Sequence, residues 1–71
     1  MEDFKISIEA ARVNAKKTQQ EVAQYLGLNR DTYRRYERGE KAFRMDMAVK
    51  FSECVGVPIK FINFYLPRII A

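Results

Sequence analysis

Six basic side chains crowd into fifteen residues of this chain: Arg30, Arg34, Arg35, Arg38, Lys41 and Arg44 fall within 30–44, against the acids Asp31, Glu37 and Glu40. That segment holds +3 of a formal +4, because residues 1–29 carry four bases and four acids, and residues 45–71 three bases and two acids. Five of the six are arginines. A guanidinium is a planar fork of donors that matches phosphate oxygens and the major-groove edge of guanine, so the chemistry on offer is recognition of a nucleic acid. A basic run also suits a plain solvated helix face, and the element that carries the charges decides between the two. Catalysis has little to work with. The chain has no histidine. Cys54 lies in an apolar stretch with no base nearby and reads as a small core hydrophobe. The carboxylates are scattered and mostly adjacent to bases, and no Cys/His spacing suits zinc. The expectation is a non-enzyme that uses neither metal nor cofactor.

Arginines can read a duplex only from a rigid support, and caps and periodicity predict five helices. Ser7 is a fitting N-cap for a first helix reaching Ala15, with Ile8, Ala11 and Ala15 on one face. Thr18-Gln19-Gln20-Glu21 is a capping box. The helix it opens runs through Val22, Ala23 and Leu26 and stops at Gly27, a residue at ease with positive φ. Asn29 caps a third helix two residues later, and Gly39 ends it. So tight a joint makes the two helices cross steeply, with the second packed across the start of the third. At about 100° per residue, Tyr33 and Tyr36 share one side of helix three, flanked by Glu37. Asp31, Arg34, Arg35 and Arg38 occupy the other, with Arg30 in the first turn. The tyrosines should face inward and the arginines outward, on a rod that fits a major groove about 12 Å wide. A fourth helix, about Met45 to Val55, ends at Gly56; its narrow polar stripe (Asp46, Lys50, Glu53) predicts cover on most sides. Pro58 suits the first turn of a short fifth helix carrying Ile59, Phe61 and Ile62.

The run from Thr18 to Thr32, TQQEVAQYLGLNRDT, followed by Tyr33-Arg34-Arg35-Tyr36-Glu37-Arg38-Gly39, resembles the helix-turn-helix of the Cro/phage-repressor (xenobiotic-response-element) family. The shared pattern is Thr-Gln-x-Glu-hydrophobic-Ala, a glycine turn, and a recognition helix ending aromatic-Glu-x-Gly. With the flanking helices the likeness covers roughly 7–62. It implies an all-α, compact five-helix, lambda-repressor-like DNA-binding domain with its motif at 18–39. It also implies base contacts at Asn29, Arg30, Asp31 and Arg35, with Arg34 reaching bases or backbone. Asn29 has a second reading as a helix cap. Asp31 either accepts from a cytosine or holds Arg35 one turn later, the reading preferred here. Gln19 matches a phosphate contact at the start of helix two, where the helix dipole favours an anion. Lys41 and Arg44 are expected phosphate clamps, joined by Arg38 and Lys17. Arg12 lies beside the buried stripe of helix one and needs a partner; the resemblance implies an ion pair with Glu37 that fixes helix three against the core. Tyr33 and Tyr36 depart from the family's usual aliphatic or Trp/Leu residues.

At 71 residues the chain has length for one domain, 1–71, able to bury only about 60% of its unfolded surface. A single cysteine permits no internal disulfide, which suits a reducing cytoplasm. No apolar run approaches the roughly 20 residues of a membrane span, and the N-terminus lacks the features of a signal peptide. The apolar tail 63–71 exceeds what so small a core needs. Phe61, Phe64, Tyr65, Ile69 and Ile70 are therefore the expected dimer surface, since family members bind palindromic operators as two-fold dimers. The reading is a cytoplasmic, repressor-like transcriptional regulator of phage or prophage type that binds double-stranded DNA as a homodimer without a small-molecule effector. The alternatives are an antitoxin that regulates its own operon and a protein-interaction adaptor that never touches DNA.

Overall fold

Side chains that satisfy orphan backbone N–H groups open three of the helices in the computed structural model, which describes residues 5–64. The Ser7 hydroxyl accepts from the Ala10 N–H at 2.9 Å and starts α1, Ile8–Asn14. Thr18 and Glu21 form the complete capping box: Thr18 Oγ1 accepts from the Glu21 N–H at 3.0 Å, and the Glu21 carboxylate accepts from the Thr18 N–H at 2.8 Å. They open α2, Gln19–Leu26. Asn29 Oδ1 accepts from the Thr32 N–H at 2.8 Å and opens α3, Arg30–Glu37. Each cap contributes roughly 0.5–2 kcal/mol. Gly27 closes α2 at φ +76°, and the Leu28 N–H turns back to the Ala23 carbonyl at 2.8 Å. A side chain there would be strained by the left-handed backbone. The fourth helix, α4, is Met45–Val55.

The fifth helix is not formed. Ile59–Phe61 makes one 3-10 turn, and the backbone then extends at Ile62 (φ −111°, ψ 130°). Ile62–Asn63 (β2) pairs in parallel with Ile6–Ser7 (β1), in the register Ile6 to Ile62 and Ser7 to Asn63. Among the described residues, four α-helices and a two-stranded ladder thus replace the five helices expected. The ladder brings the two ends of the described chain together and drops Ile62 into the core.

That core is Ile8, Ala11, Val22, Ala23, Leu26, Tyr33, Phe51, Val55 and Ile62, drawn from all four helices and β2. Helix α4 departs from expectation. It buries Ala48, Phe51 and Val55, but Met45 and Val49 stand exposed, Met45 at 72%. One face of α4 is covered, not most of it. Phe64 packs against the core, its ring 5.2 Å from Phe43 and 5.9 Å from Phe51 between centroids. Its role in the core accounts for a side chain that the sequence left as surplus. Phe61 is exposed, whereas Tyr65, Ile69 and Ile70 lie outside the described residues. No helix among the described residues is long and apolar enough to cross a membrane.

Candidate nucleic-acid interface

Helix α3 sorts its side chains by chemistry. Tyr33 and Tyr36 are buried. Arg34, Arg35 and Arg38 keep 38%, 59% and 56% of their side-chain surface in solvent. The arginines are therefore carried on the outside of a helix whose other face is locked into the protein.

The lock is a polar knot under α3. Arg12 on α1 places Nε 2.5 Å from Glu37 Oε2, with only 12% and 5% of the two side chains exposed. The expected pair is there, and it has two further members. The Tyr33 hydroxyl donates to the same Oε2 at 2.6 Å, and Gln19 Nε2 donates to Oε1 at 3.0 Å. Arg12 Nη1 also donates to the Lys17 carbonyl at 2.9 Å, which ties in the α1–α2 turn. One carboxylate thus joins α1, α2 and α3. Tyr33, a departure from the family's aliphatic residue, uses its extra hydroxyl here. Burial and the neighbouring carboxylate both push its phenol pKa far above the ordinary tyrosine value, so the hydroxyl stays a donor. Burial works against the Arg12 charge, but hydrogen bonding and attraction to Glu37 outweigh it and raise its pKa.

The base-reading candidates sit around the start and outer face of α3. Asn29 serves as the cap, through its side-chain oxygen. Arg30 is exposed in the first turn. Asp31 does not hold Arg35. It lies 3.6 Å from Arg34 Nη1, one residue short of the expected spacing. Arg35 turns instead to Glu40, with Nε 3.7 Å from Oε1, and Arg38 Nη1 lies 3.5 Å from Oε2. Glu40 escaped sequence reasoning because it follows the helix-ending Gly39 and looked like loop.

The backbone-contact candidates flank this face. Gln19 is engaged by Glu37, so its carboxamide is oriented before any duplex arrives. Lys17 shares one shallow groove beside the α2 N-terminus with Lys16, Thr18, Gln20 and Arg30. Lys16 and Gln20 were missed, although two successive lysines before a capping box were the available signal. Lys16 takes φ +60° in that turn. Lys41 Nζ rests 5.5 Å from the centre of the Tyr36 ring, a cation–π contact that keeps it close to α3. Arg44 is largely exposed and pairs with Asp46 at 3.3 Å. Its hydrogen bond and charge hold the Asp46 carboxyl below the usual carboxylate range.

Arg44 also occupies the N-cap of α4 without making a cap hydrogen bond. A cation there opposes the helix dipole. Arg44→Ser is expected to raise the midpoint of urea denaturation while weakening duplex binding in a fluorescence anisotropy titration. A variant no more stable than the parent would show that Asp46 already satisfies the helix start.

Cys54 is half-buried beside the core, and burial raises its thiol pKa. Such a thiol is a poor nucleophile.

A family model described as helix-turn-helix matches residues 8–62, more than half of the chain, from the start of α1 into β2. No curated protein and no solved structure matches.

Proposed function

The chain belongs to the helix-turn-helix family of Cro/phage-repressor type, whose shared unit is a DNA-binding domain, and we propose that it is a sequence-specific transcriptional repressor of phage or prophage type. One observation carries the proposal: α3 buries Tyr33 and Tyr36 and turns Arg34, Arg35 and Arg38 to solvent. Laid in a major groove, such a helix brings Arg30, Arg34 and Arg35 toward base edges, with Asn29 and Asp31 beside them. Lys17, Gln19, Arg38, Lys41 and Arg44 meet phosphates on either side, fixing register without reading sequence. Two copies bind a palindromic operator, with half-sites about 34–36 Å apart. The exposed Phe61 contributes to their contact, together with Tyr65, Ile69 and Ile70.

Selection of bound duplexes from a random pool, run with the parent and with Arg35→Ala, tests this. The parent should enrich a two-fold-symmetric site, and the logarithm of its affinity should fall linearly with the logarithm of salt concentration. Arg35→Ala should lose its preference at one base pair per half-site, at a cost of about 1–3 kcal/mol. Retention of no duplex at low salt would make the exposed arginines a protein-contact surface and end the proposal. An unaltered motif for Arg35→Ala would remove that arginine from the reading set.

A further inference from the structure

Among the described residues, the Glu40 carboxylate is the one acidic group that bridges two arginines of the α3 face, and backbone hydrogen bonds set where its side chain starts. Helix α3 ends in a paired turn: the Gly39 N–H donates to the Tyr36 carbonyl at 3.1 Å, and the Glu40 N–H donates to the Arg35 carbonyl at 2.9 Å. Gly39 supplies the left-handed φ of +81° that this turn requires. Glu40 is thereby folded back over the last turn of α3. For the helix itself this is a poor place for an acid, because a negative charge beside the C-terminal carbonyls opposes the dipole. Its effect is on the arginines. One carboxylate oxygen lies 3.7 Å from Arg35 Nε and the other 3.5 Å from Arg38 Nη1.

Which nitrogen of Arg35 is engaged matters. Because the guanidinium is planar, an approach 3.7 Å from Nε comes at its side edge, and the end-on N–H bonds of the two terminal nitrogens, a fork that matches guanine O6 and N7, point along a different direction. Arg38 holds the carboxylate from the other side. We propose that Glu40 is a specificity-determining positioning residue: it buttresses Arg35 so that its fork is presented in one orientation to a base edge. The proposal rests on the DNA-binding reading above and adds to it a residue that touches no base. A long arginine left unbuttressed on an exposed helix samples many rotamers, and ordering it on the duplex then costs affinity at the correct site only. Nonspecific binding, dominated by net charge near phosphates, responds in the opposite sense, because removing Glu40 removes a negative charge from the face.

The test is Glu40→Gln in the full chain, with affinity measured for the selected operator, its single-base-pair variants and a random duplex. Affinity for random DNA should hold or rise, while the ratio of operator to random affinity should fall roughly fivefold. The loss of discrimination should map to the base pair that Arg35→Ala relaxes. Adding Glu40→Gln to Arg35→Ala should lower discrimination no further. An unchanged or increased ratio would overturn the proposal, because a carboxylate that merely competes with DNA for the arginines strengthens both kinds of binding when removed. Relaxation at a different base pair would overturn it as well. Failure of the parent itself to bind any duplex would instead strike the DNA-binding reading, and the proposal would fall with it.

Discussion

Glu37→Ala is expected to melt at least about 12 °C below the parent chain, because removing one member of a buried ion pair costs about 3–5 kcal/mol and each kcal/mol shifts Tm by about 4–8 °C in a domain of this size. Three donors converge on the Glu37 carboxylate, from Arg12, Gln19 and Tyr33. Deleting it takes the acceptor from Gln19 and from the fully buried Tyr33, and leaves Arg12, 12% exposed, with only the Lys17 carbonyl and the more distant Glu9. The cost is a large share of the ~5–15 kcal/mol that holds a typical domain together. Tyr33→Phe removes only one donor, a hydrogen bond to a charged acceptor, and leaves Glu37 paired with Arg12, so it should cost about 1.5–3 kcal/mol. Thermal melts followed by far-UV circular dichroism separate the two. If Glu37→Ala melted with the parent, α3 would not be pinned through this carboxylate. Its orientation would then have to come from apolar packing alone.

The parts of this fold that were legible in the sequence are those settled within a few residues. Ser7, Thr18 and Asn29 start helices because a short polar side chain reaches an N–H three positions on, and that relation is written into the spacing. The two faces of α3 follow from helical periodicity, and the tyrosines are where it puts them. The misses share a physical origin in interactions between distant segments. Ile59, Phe61 and Ile62 carry a helix-compatible pattern, but Ile62 is extended because Ile6 and Ser7 offer it a backbone partner from the other end of the chain. Composition makes α4 apolar on most sides, yet only the Ala48, Phe51 and Val55 face meets the core. Asp31 and Arg35 have the spacing of an i,i+4 pair. Glu40 nevertheless engages Arg35 once Gly39 reverses the chain, and Asp31 is left to Arg34. Sequence identified Arg12 and Glu37 as partners through resemblance. That Tyr33 and Gln19 complete the knot was visible only once three helices had been brought together.

The candidate interface is therefore held from two sides. The polar knot fixes the inner edge of α3, and an aromatic cluster fixes its C-terminal end and the loop that follows. Tyr36 on α3 meets Phe43 edge-on at 4.7 Å between ring centroids. Phe43 meets Phe51 of α4 edge-on at 5.5 Å, and Phe64 lies against both Phe43 and Phe51. Phe43 stands between Lys41 and Arg44 in the sequence, so the ring that seals the cluster also anchors the loop carrying two of the proposed phosphate-binding side chains.

Phe51→Ala should accordingly damage both stability and binding. Phe51 is fully buried, and truncating such a side chain costs about 3–5 kcal/mol in transfer and cavity terms together. Edge-on pairs with Phe43 and Phe64 disappear with it, each contributing about 0.5–1.5 kcal/mol beyond the buried area. Phe51→Leu keeps most of the apolar volume and should forfeit mainly the aromatic share, so the difference between the variants in urea denaturation separates cavity from ring geometry. Phe51→Leu remains folded by this reckoning and supplies the functional readout. With Phe43 less firmly seated, Lys41 and Arg44 are held less tightly. The salt dependence of duplex binding should then become shallower, by up to about 0.9 in log–log slope for every phosphate no longer neutralised. A salt slope equal to the parent's, in a variant measurably less stable, would show that the loop is held independently of the aromatic cluster. Phosphate recognition would then depend on α3 and the α1–α2 turn alone.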